Sequence, residues 1–175
     1  MSYPVHTLAS APERARPALQ ALQASFGFLP NIAGAMAGSP VLLEAFVGVF
    51  RAVHSGSFSE AQIQAVLLTN AVTNQSAWPI AFHATLAVKL GVAPADVRAI
   101  RERRPPEDLQ LAAVSALARA MIEQRGHVDE PALAAFRAAG FAPEQVLELI
   151  TIVAASTLTN YAASIAQPPI EPAFG

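Results

Sequence analysis

Two polar residues near the middle of the chain have types suited to acid, base or nucleophilic chemistry: His83 and Ser76. Histidine exchanges a proton near neutral pH and often serves as a general acid or base. The Ser76 hydroxyl would need an activating base before it could act as a nucleophile. Each has a plainer role as well. His83 could be a core histidine held by a backbone carbonyl, and capping a helix is the better account of Ser76.

Two consecutive helices joined by a polar elbow are predicted to position these residues, within residues 59–91. Ser59 followed by Gln62 has the form of a capping box, which starts the first helix. The elbow is rich in residues that favour turns and caps, and Pro79 suits the first turn of the second helix. Apolar residues at helical spacing on both sides of His83 predict that its ring points inward.

Five further residues are predicted to line a small-molecule pocket: Asn70, Trp78, Pro79, Asn160 and Tyr161. Asn70 falls on the buried stripe of the first helix, and the only tryptophan lies beside the elbow. The last helix has a predicted core stripe that turns polar: Val146, Leu149, Ile150, Val153, Thr157, Asn160, Tyr161 and Ser164. A stripe that turns polar either leaves the core or lines a wet space, because unpaired buried polar groups are costly. Surface emergence, a subunit interface or plain core packing would also explain these residues.

The composition bears on partners and compartment. Apolar residues make up 53% of the 175 and charged residues only 14%, which suggests apolar surface covered in a homo-oligomer. The formal net charge of −2 gives no electrostatic basis for binding nucleic acid or an anionic membrane. No run approaches the roughly eighteen apolar residues of a membrane span, and no leader opens the chain, so we expect a cytoplasmic protein. No histidine has metal-ligand spacing, and we expect neither metal nor cofactor.

Helical periodicity accounts for most of the chain, and no strand pattern occurs, so the sequence predicts one all-α domain over residues 1–175. Besides the pair within residues 59–91, helices are predicted at 13–26, 30–36, 41–54, 94–103, 107–125, 130–139 and 143–166. Residues 1–12 are predicted to form an extended arm that could lie on a neighbouring subunit. Residues 167–175 are predicted to form a coil tail.

The central pair of helices resembles the core of the alkyl hydroperoxidase D (AhpD) and carboxymuconolactone decarboxylase superfamily, in its peroxidase-related branch. The family motif is a glutamate, eleven residues, then Cys-x-x-Cys-x-x-x-His. Aligning its histidine with His83 puts the cysteines at Ser76 and Pro79 and the glutamate at Gln64, so only the histidine is retained. Segments on either side resemble the same branch: 26–31, 39–40, 139–141, 147–148, 160–161 and 172–174.

This resemblance implies a multi-helix orthogonal bundle of the AhpD-like type, assembled as a trimer or hexamer. It also implies an inherited pocket near His83, in which Gln64 and Ser76 are the polar partners. In that arrangement Gln64 would orient the ring but could not accept a proton as the family's glutamate could. The chain contains no cysteine. A thiol peroxidase needs a thiolate to attack the peroxide and a second thiol to resolve the sulfenic acid, so the family's redox chemistry is excluded.

Three functional hypotheses remain open. The preferred one is a protein that has lost the redox cysteines and binds a small organic molecule near His83, in a way that depends on pH. The second, by resemblance to the decarboxylase branch, is a non-redox enzyme in which His83 moves a proton on a lactone or unsaturated acid. The third is a structural or regulatory oligomer without a ligand. Whether the protein is an enzyme is therefore left open.

Overall fold

The helices begin and end close to the residues that the sequence marks as caps and breaks. The computed structural model of the protein describes residues 3–174, and within that range it contains helices and no strand. A 3₁₀ turn, Glu13–Ala15, leads into the α-helices of this range: α1 Arg16–Phe26, α2 Asn31–Met36, α3 Pro40–Val53, α4 Glu60–Thr73, α5 Ala77–Lys89, α6 Pro94–Arg101, α7 Leu109–Glu123, α8 Glu130–Ala138 and α9 Pro143–Ala166. The prediction of an all-α fold is confirmed.

Helix α4 lies at the centre of the molecule and packs against α5, α6, α7 and α9. All ten residues from 63 to 72 are buried, so the helix has no polar face in this stretch. Its start is the predicted capping box: Ser59 Oγ accepts from the Gln62 N–H at 3.3 Å, and Gln62 Oε1 accepts from the Ser59 N–H at 2.9 Å. Burial on all sides is what brings Gln64 into the core.

Helix α9 is the second central element, and its buried face differs from the predicted one. It packs against α2, α3, α4, α5 and α7. The buried residues are Leu149, Ile152, Ala155, Ser156, Thr159, Asn160 and Ala163. Ile150, predicted to lie in the core, is 50% exposed, and Tyr161 is 59% exposed. Neighbours on several sides weaken the amphipathic pattern of the sequence, which is why periodicity alone placed the stripe wrongly.

By length and apolar composition α9 is also long enough to cross a membrane, contrary to the expectation that no segment approaches such a span. In its most apolar window 39% of the residues are buried inside the molecule. A core helix of a soluble protein passes the same test, and α9 is packed against five other helices.

The described part of the N-terminal arm lies along the protein's own helix α2. The His6 N–H donates to the Gly34 carbonyl at 3.1 Å. A Cβ at Gly34 would come within 2.6 Å of the His6 carbonyl oxygen, so only glycine permits this approach. Leu8 and Ala11 then pack into the core beside α2. Residues 1 and 2 of the predicted arm lie outside the described residues.

The C-terminal tail is coil as far as it is described, but it is held firmly against the helices. The Glu171 carboxylate accepts a hydrogen bond from the Asn31 backbone N–H at 2.7 Å and another from Trp78 Nε1–H at 2.8 Å. The Phe174 ring meets Phe82 edge-on, with ring centroids 5.2 Å apart. The tail therefore links the start of α2 to the start of α5. Residue 175 lies outside the described residues.

Two hydrophobic clusters make up the core. The aliphatic cluster is built mainly from α4, α6, α7 and α9, and its fully buried members include Ile63, Val66, Leu68, Ile100, Val114, Leu117, Phe136, Leu149 and Ile152. The aromatic cluster joins the arm, α1, α2 and α3 to α5 and the tail, and its rings are Phe26, Phe28, Phe46, Phe50, Trp78, Phe82 and Phe174.

Candidate functional site

A cavity lies beside the aromatic cluster, where α1, α2, α3, α4, α5 and α9 meet. It contains about 70 Å³ of space open to the centre of a water molecule. One water needs roughly 10–15 Å³ on this measure, so the cavity suits a molecule about the size of one aromatic ring. The lining side chains are Leu22, Phe26, Pro30, Ile32, Ala33, Phe46, Phe50, Val53, His54, Gln64, Leu67, Trp78, Phe82, His83, Leu86, Ala155 and Thr159.

His83 and Gln64 form a hydrogen-bonded pair in the wall of this cavity. The distance from His83 Nδ1 to Gln64 Oε1 is 2.9 Å, and both residues are buried. The pair forms because α5 folds back against α4 after the elbow, which brings residues 19 positions apart into contact. An amide oxygen can only accept, so Nδ1 carries the proton. The side chain that holds the ring is thus an amide, not a backbone carbonyl.

Burial sets the charge of His83. Loss of hydration, with a smaller contribution from nearby His54, lowers the pKa of His83 to about 3. The ring is therefore neutral at physiological pH, with the proton on Nδ1 and a free lone pair on Nε2. A group with this pKa is a weak base, and near neutral pH it has no imidazolium proton to give as a general acid. Because the ring stays neutral near physiological pH, the pKa does not support the expectation that ligand binding depends on pH through ionisation of His83.

Ser76 is not brought together with His83 at the cavity. It occupies the N-cap position of α5, as predicted, but its side chain does not cap the helix. Its hydroxyl instead donates to the Asn160 carbonyl at 3.2 Å, and the side chain is buried away from the cavity lining. The Asn160 amide in turn donates to Ser156 Oγ at 3.1 Å. Ser76 thus fastens the elbow to α9, and the geometry gives it no base to activate it as a nucleophile.

Only one of the five predicted pocket residues lines the cavity. Trp78 lines the cavity, whereas Asn70, Pro79, Asn160 and Tyr161 do not. Asn70 is fully buried in α4, and neither of its amide atoms has a hydrogen-bond partner among the described residues. Tyr161 is on the outside of α9. Of the polar residues in the predicted α9 stripe, Thr157 donates within its own helix to the Val153 carbonyl, and among the described residues only the Asn160 carbonyl links α9 to another element, through Ser76. Thr159, which was not part of that stripe, is the polar residue of α9 that lines the cavity.

The sequence reasoning missed the aromatic side chains that enclose most of the cavity. Phe82 lies parallel to Trp78 at 4.8 Å between centroids, and Phe26 meets Phe82 edge-on at 5.5 Å. Phe50 continues the wall from Phe26 at 5.4 Å. A local signal existed for Phe82, which follows Trp78 by four residues on one helix and so shares its face. The other phenylalanines come from distant segments and gave no such signal.

His54 was also missed, because it lies at a predicted helix end. Its side chain lines the cavity and is 26% exposed, so the cavity reaches the surface at this point. His54 Nδ1 lies 2.9 Å from Glu60 Oε1, and the ring packs on Phe50 with centroids 4.4 Å apart. This histidine therefore marks the mouth of the cavity, and His83 lies in its wall. No group of three potential metal ligands occurs among residues 3–174.

Comparison with solved structures identifies the architecture. An uncharacterized peroxidase-related protein from Ralstonia eutropha, described as an alkylhydroperoxidase AhpD core, superposes with a TM-score of 0.84 at 21% identity; the match covers 98% of this chain and 93% of that one. A peroxidase-related protein from Silicibacter gives a TM-score of 0.80 at 17% identity, over 99% and 92% of the two chains. The chain has the AhpD-like fold.

A further structure with the AhpD-like fold is the debrominase Bmp8. Its apo form matches with a TM-score of 0.76 at 20% identity, covering 92% of this chain and 88% of that one. A cysteine-to-alanine variant of Bmp8 in complex with 2,3,4-tribromopyrrole matches equally well, over 92% and 87%. No family model and no curated protein matches the sequence. The likeness therefore establishes the fold predicted from the sequence motif.

Proposed function

We propose that this protein binds a small apolar organic molecule in the cavity at His83 and Gln64, and that it is not a thiol peroxidase. The observation that carries the proposal is the cavity itself. Five of its lining side chains are aromatic, and its buried polar atoms belong to the neutral His83–Gln64 pair and Thr159. Binding sites for small molecules are typically apolar hollows with a few fixed polar groups of this kind.

The absence of sulfur chemistry follows from the composition. The chain has no cysteine, so it has no thiolate to attack a peroxide and no thiol to resolve the product. Ser76 occupies the position of one motif cysteine, and its hydroxyl is bonded to the Asn160 carbonyl. We expect the purified, metal-free and haem-free protein to consume no hydroperoxide catalytically. Turnover in a hydroperoxide assay would contradict this part of the proposal.

The complex of the Bmp8 variant supports a ligand of about one ring in size. That protein, which has the same fold, holds 2,3,4-tribromopyrrole, a small five-membered aromatic ring. The cavity in the present chain is of matching scale and is walled by aromatic rings. The decarboxylase-type alternative has less support, because a histidine with a pKa of about 3 is a poor proton carrier at neutral pH.

We further propose that the protein works as a homo-oligomer, a trimer or hexamer, in the cytoplasm. Support for assembly comes from large apolar side chains exposed along α9: Leu147, Ile150, Tyr161 and Ile165. Successive members are three, eleven and four residues apart, so they share one face of the helix. A chain without cysteine needs no oxidising compartment, which fits cytoplasmic residence. Light scattering would test the assembly, and a monomer at micromolar concentration would contradict it.

Thermal unfolding in the presence of small aromatic compounds tests the binding proposal. A ligand that binds only the folded state raises its stability, by about 2.7 kcal/mol at a concentration one hundred times the dissociation constant. We expect benzene or toluene to raise the melting temperature in a saturable manner. No shift with any of a panel of ring-sized compounds would contradict the proposal.

A cavity-filling variant provides the control. Ala155 is buried and lines the cavity, so Ala155→Leu should occupy part of the space and reduce the ligand-induced shift. Ala24 is exposed on α1, and Ala24→Leu adds the same atoms without touching the cavity. The proposal requires the shift to fall in the first variant and to persist in the second.

A further inference from the structure

The polar side chains of the cavity differ in whether they can donate a hydrogen bond to a ligand or accept one from it. Gln64 Oε1 lies 2.9 Å from His83 Nδ1 and accepts the hydrogen bond that Nδ1–H donates. No hydrogen bond among the described residues involves Nε2, so this atom remains as an acceptor in the cavity wall. Nε2 is not among the fully enclosed side-chain atoms that lack a partner, so it is open to the cavity, and a ligand in the cavity can donate a hydrogen bond to it.

The other polar groups of the cavity further restrict which chemical groups a ligand can carry. The Thr159 hydroxyl donates to the Ser156 carbonyl at 3.0 Å, so its oxygen can only accept. The amide nitrogen of Gln64 has no hydrogen bond among the described residues and remains a donor. Among the polar side chains that line the cavity, His83 and Thr159 carry acceptors and Gln64 carries a donor. A hydroxyl group suits this set, because it donates one hydrogen bond and accepts others.

The walls favour a flat molecule. Trp78 and Phe82 are stacked at 4.8 Å with an interplanar angle of 21°, and Phe26 stands edge-on to Phe82 at 5.5 Å. Aromatic rings prefer stacked or edge-to-face neighbours, and such pairs contribute beyond the area they bury. A flat ring can pack against these faces and edges at no cost in internal conformational freedom.

Resting on the proposed binding function, we infer that the cavity selects a phenol, whose hydroxyl donates a hydrogen bond to Nε2 of His83 while its ring packs among Phe26, Trp78 and Phe82. Gln64 is a positioning residue in this arrangement, because it fixes the proton on Nδ1 and so keeps Nε2 as the acceptor. The histidine tautomer accounts for the hydroxyl group of the proposed ligand, and the aromatic walls account for its flat ring.

Three probes of similar size test the inference: phenol, anisole and toluene. Phenol can donate a hydrogen bond, anisole can only accept one, and toluene can do neither. Calorimetric titration would give their dissociation constants for the wild-type protein, for His83→Phe and for Thr159→Val. The measured quantity is the preference ratio, the dissociation constant of toluene divided by that of phenol. This ratio cancels differences in the size and general stability of the cavity.

We expect the preference ratio to fall about fivefold to tenfold in His83→Phe, as for the loss of one buried hydrogen bond. Toluene should still bind this variant, because phenylalanine keeps the wall apolar. Thr159→Val removes the other acceptor with little change in shape, and the ratio should stay within about twofold of the wild type. Anisole should show no comparable dependence on His83.

A second measurement uses the wild-type protein and so does not depend on any variant folding. Nitrogen NMR distinguishes a bare imidazole nitrogen from one that accepts a hydrogen bond. We expect the Nε2 resonance of His83 to move on saturation with phenol and to stay in place with toluene.

The outcomes separate the two proposals. If none of the three probes binds, the proposed binding function fails. If toluene binds but the preference ratio is unchanged in His83→Phe, or falls in Thr159→Val instead, the binding function stands and the inference about phenols is overturned. Tighter binding of anisole than of phenol would also overturn it, because it would make the Gln64 amide the selecting group.

Discussion

The two hydrophobic clusters of this protein differ in how completely their side chains fill the space around them. The aliphatic cluster surrounds α4 and α7 with fully buried side chains such as Leu68, Val114 and Phe136. The aromatic cluster is assembled from short helices, an N-terminal arm and a C-terminal tail, and the cavity borders it. Close packing gives stability, whereas a binding site must leave space unfilled. The comparison suggests that the first cluster supports the fold and the second cluster has room for a ligand.

The largest effect is expected from truncating the aliphatic cluster. Phe136 is 1% exposed and stacks on Phe141 with centroids 4.5 Å apart. Phe136→Ala should lower the free energy of unfolding by about 3–5 kcal/mol, as for other buried phenylalanines. Phe50→Ala, at the half-buried cavity wall, should cost about half of this or less, because less apolar area is lost from the interior. Urea unfolding would measure the loss of unfolding free energy in each variant. Equal losses would contradict the difference proposed between the two clusters.

The next largest effect concerns pH. The pKa of His83 is lowered from 6.5 to about 3 in the folded protein, because burial disfavours the charged ring. Between these values the unfolded chain binds one more proton, so stability from the neutral ring is fully present above pH 6.5 and is lost as pH falls towards 3. The slope is about 1.4 kcal/mol per pH unit.

His83→Phe should lack this slope. Between pH 6.5 and pH 4.5 the wild type should therefore lose about 2–3 kcal/mol more unfolding free energy than this variant does. Urea titrations at several pH values would measure the difference. His127→Gln, which replaces an exposed histidine, should keep the wild-type slope. Parallel curves for wild type and His83→Phe would mean that His83 ionises inside the folded protein.

A smaller effect is expected at the tail that braces the aromatic cluster. Glu171 accepts hydrogen bonds from the Asn31 N–H and from Trp78 Nε1–H. Glu171→Gln removes the charge and turns one acceptor into a donor, so it should cost about 1–2 kcal/mol in unfolding free energy.

The matched control for the tail is Glu44→Gln, which breaks an exposed ion pair with Arg14. Surface pairs of this kind contribute little, so this variant should leave the stability nearly unchanged. Thermal and urea unfolding would compare the two variants. If both were neutral, the tail would not brace the aromatic cluster.

The smallest effect is expected at Asn70, and it is a gain in stability. Both of its amide atoms are buried without a partner among the described residues. Asn70→Leu has a similar shape and removes the unpaired polar group, so it should raise the unfolding free energy by about 1 kcal/mol. Binding of ring compounds should be unchanged, because Asn70 does not line the cavity. A marked loss of stability would show that the amide does have a role in the core.

The sequence predicts local features of this structure well. The Ser59–Gln62 capping box, the elbow before α5 and the inward direction of His83 are all set by short-range chemistry, and each occurs as predicted. Contact between Gln64 and His83 followed from the family motif, since residues on two packed neighbouring helices meet at a regular offset. These features need no knowledge of distant parts of the chain.

Features that depend on distant parts of the chain were not predictable in this way. Phe26 and Phe50 reach Phe82 only after α1, α3 and α5 have packed together. The depth of burial that lowers the pKa of His83 is likewise a property of the whole fold. The buried face of α9 was misassigned because several helices surround it. Glu171 illustrates the same limit, since its partners lie 140 and 93 residues away.

Trp78 is the only tryptophan of the chain, and it is fixed in the cavity wall between Phe82 and Glu171. Tryptophan fluorescence from this protein therefore comes from one indole at one place. A molecule that enters the cavity contacts this indole directly, so emission intensity and wavelength report occupancy without a label. A fluorescence titration of the single indole would therefore test the proposed binding without any change to the protein.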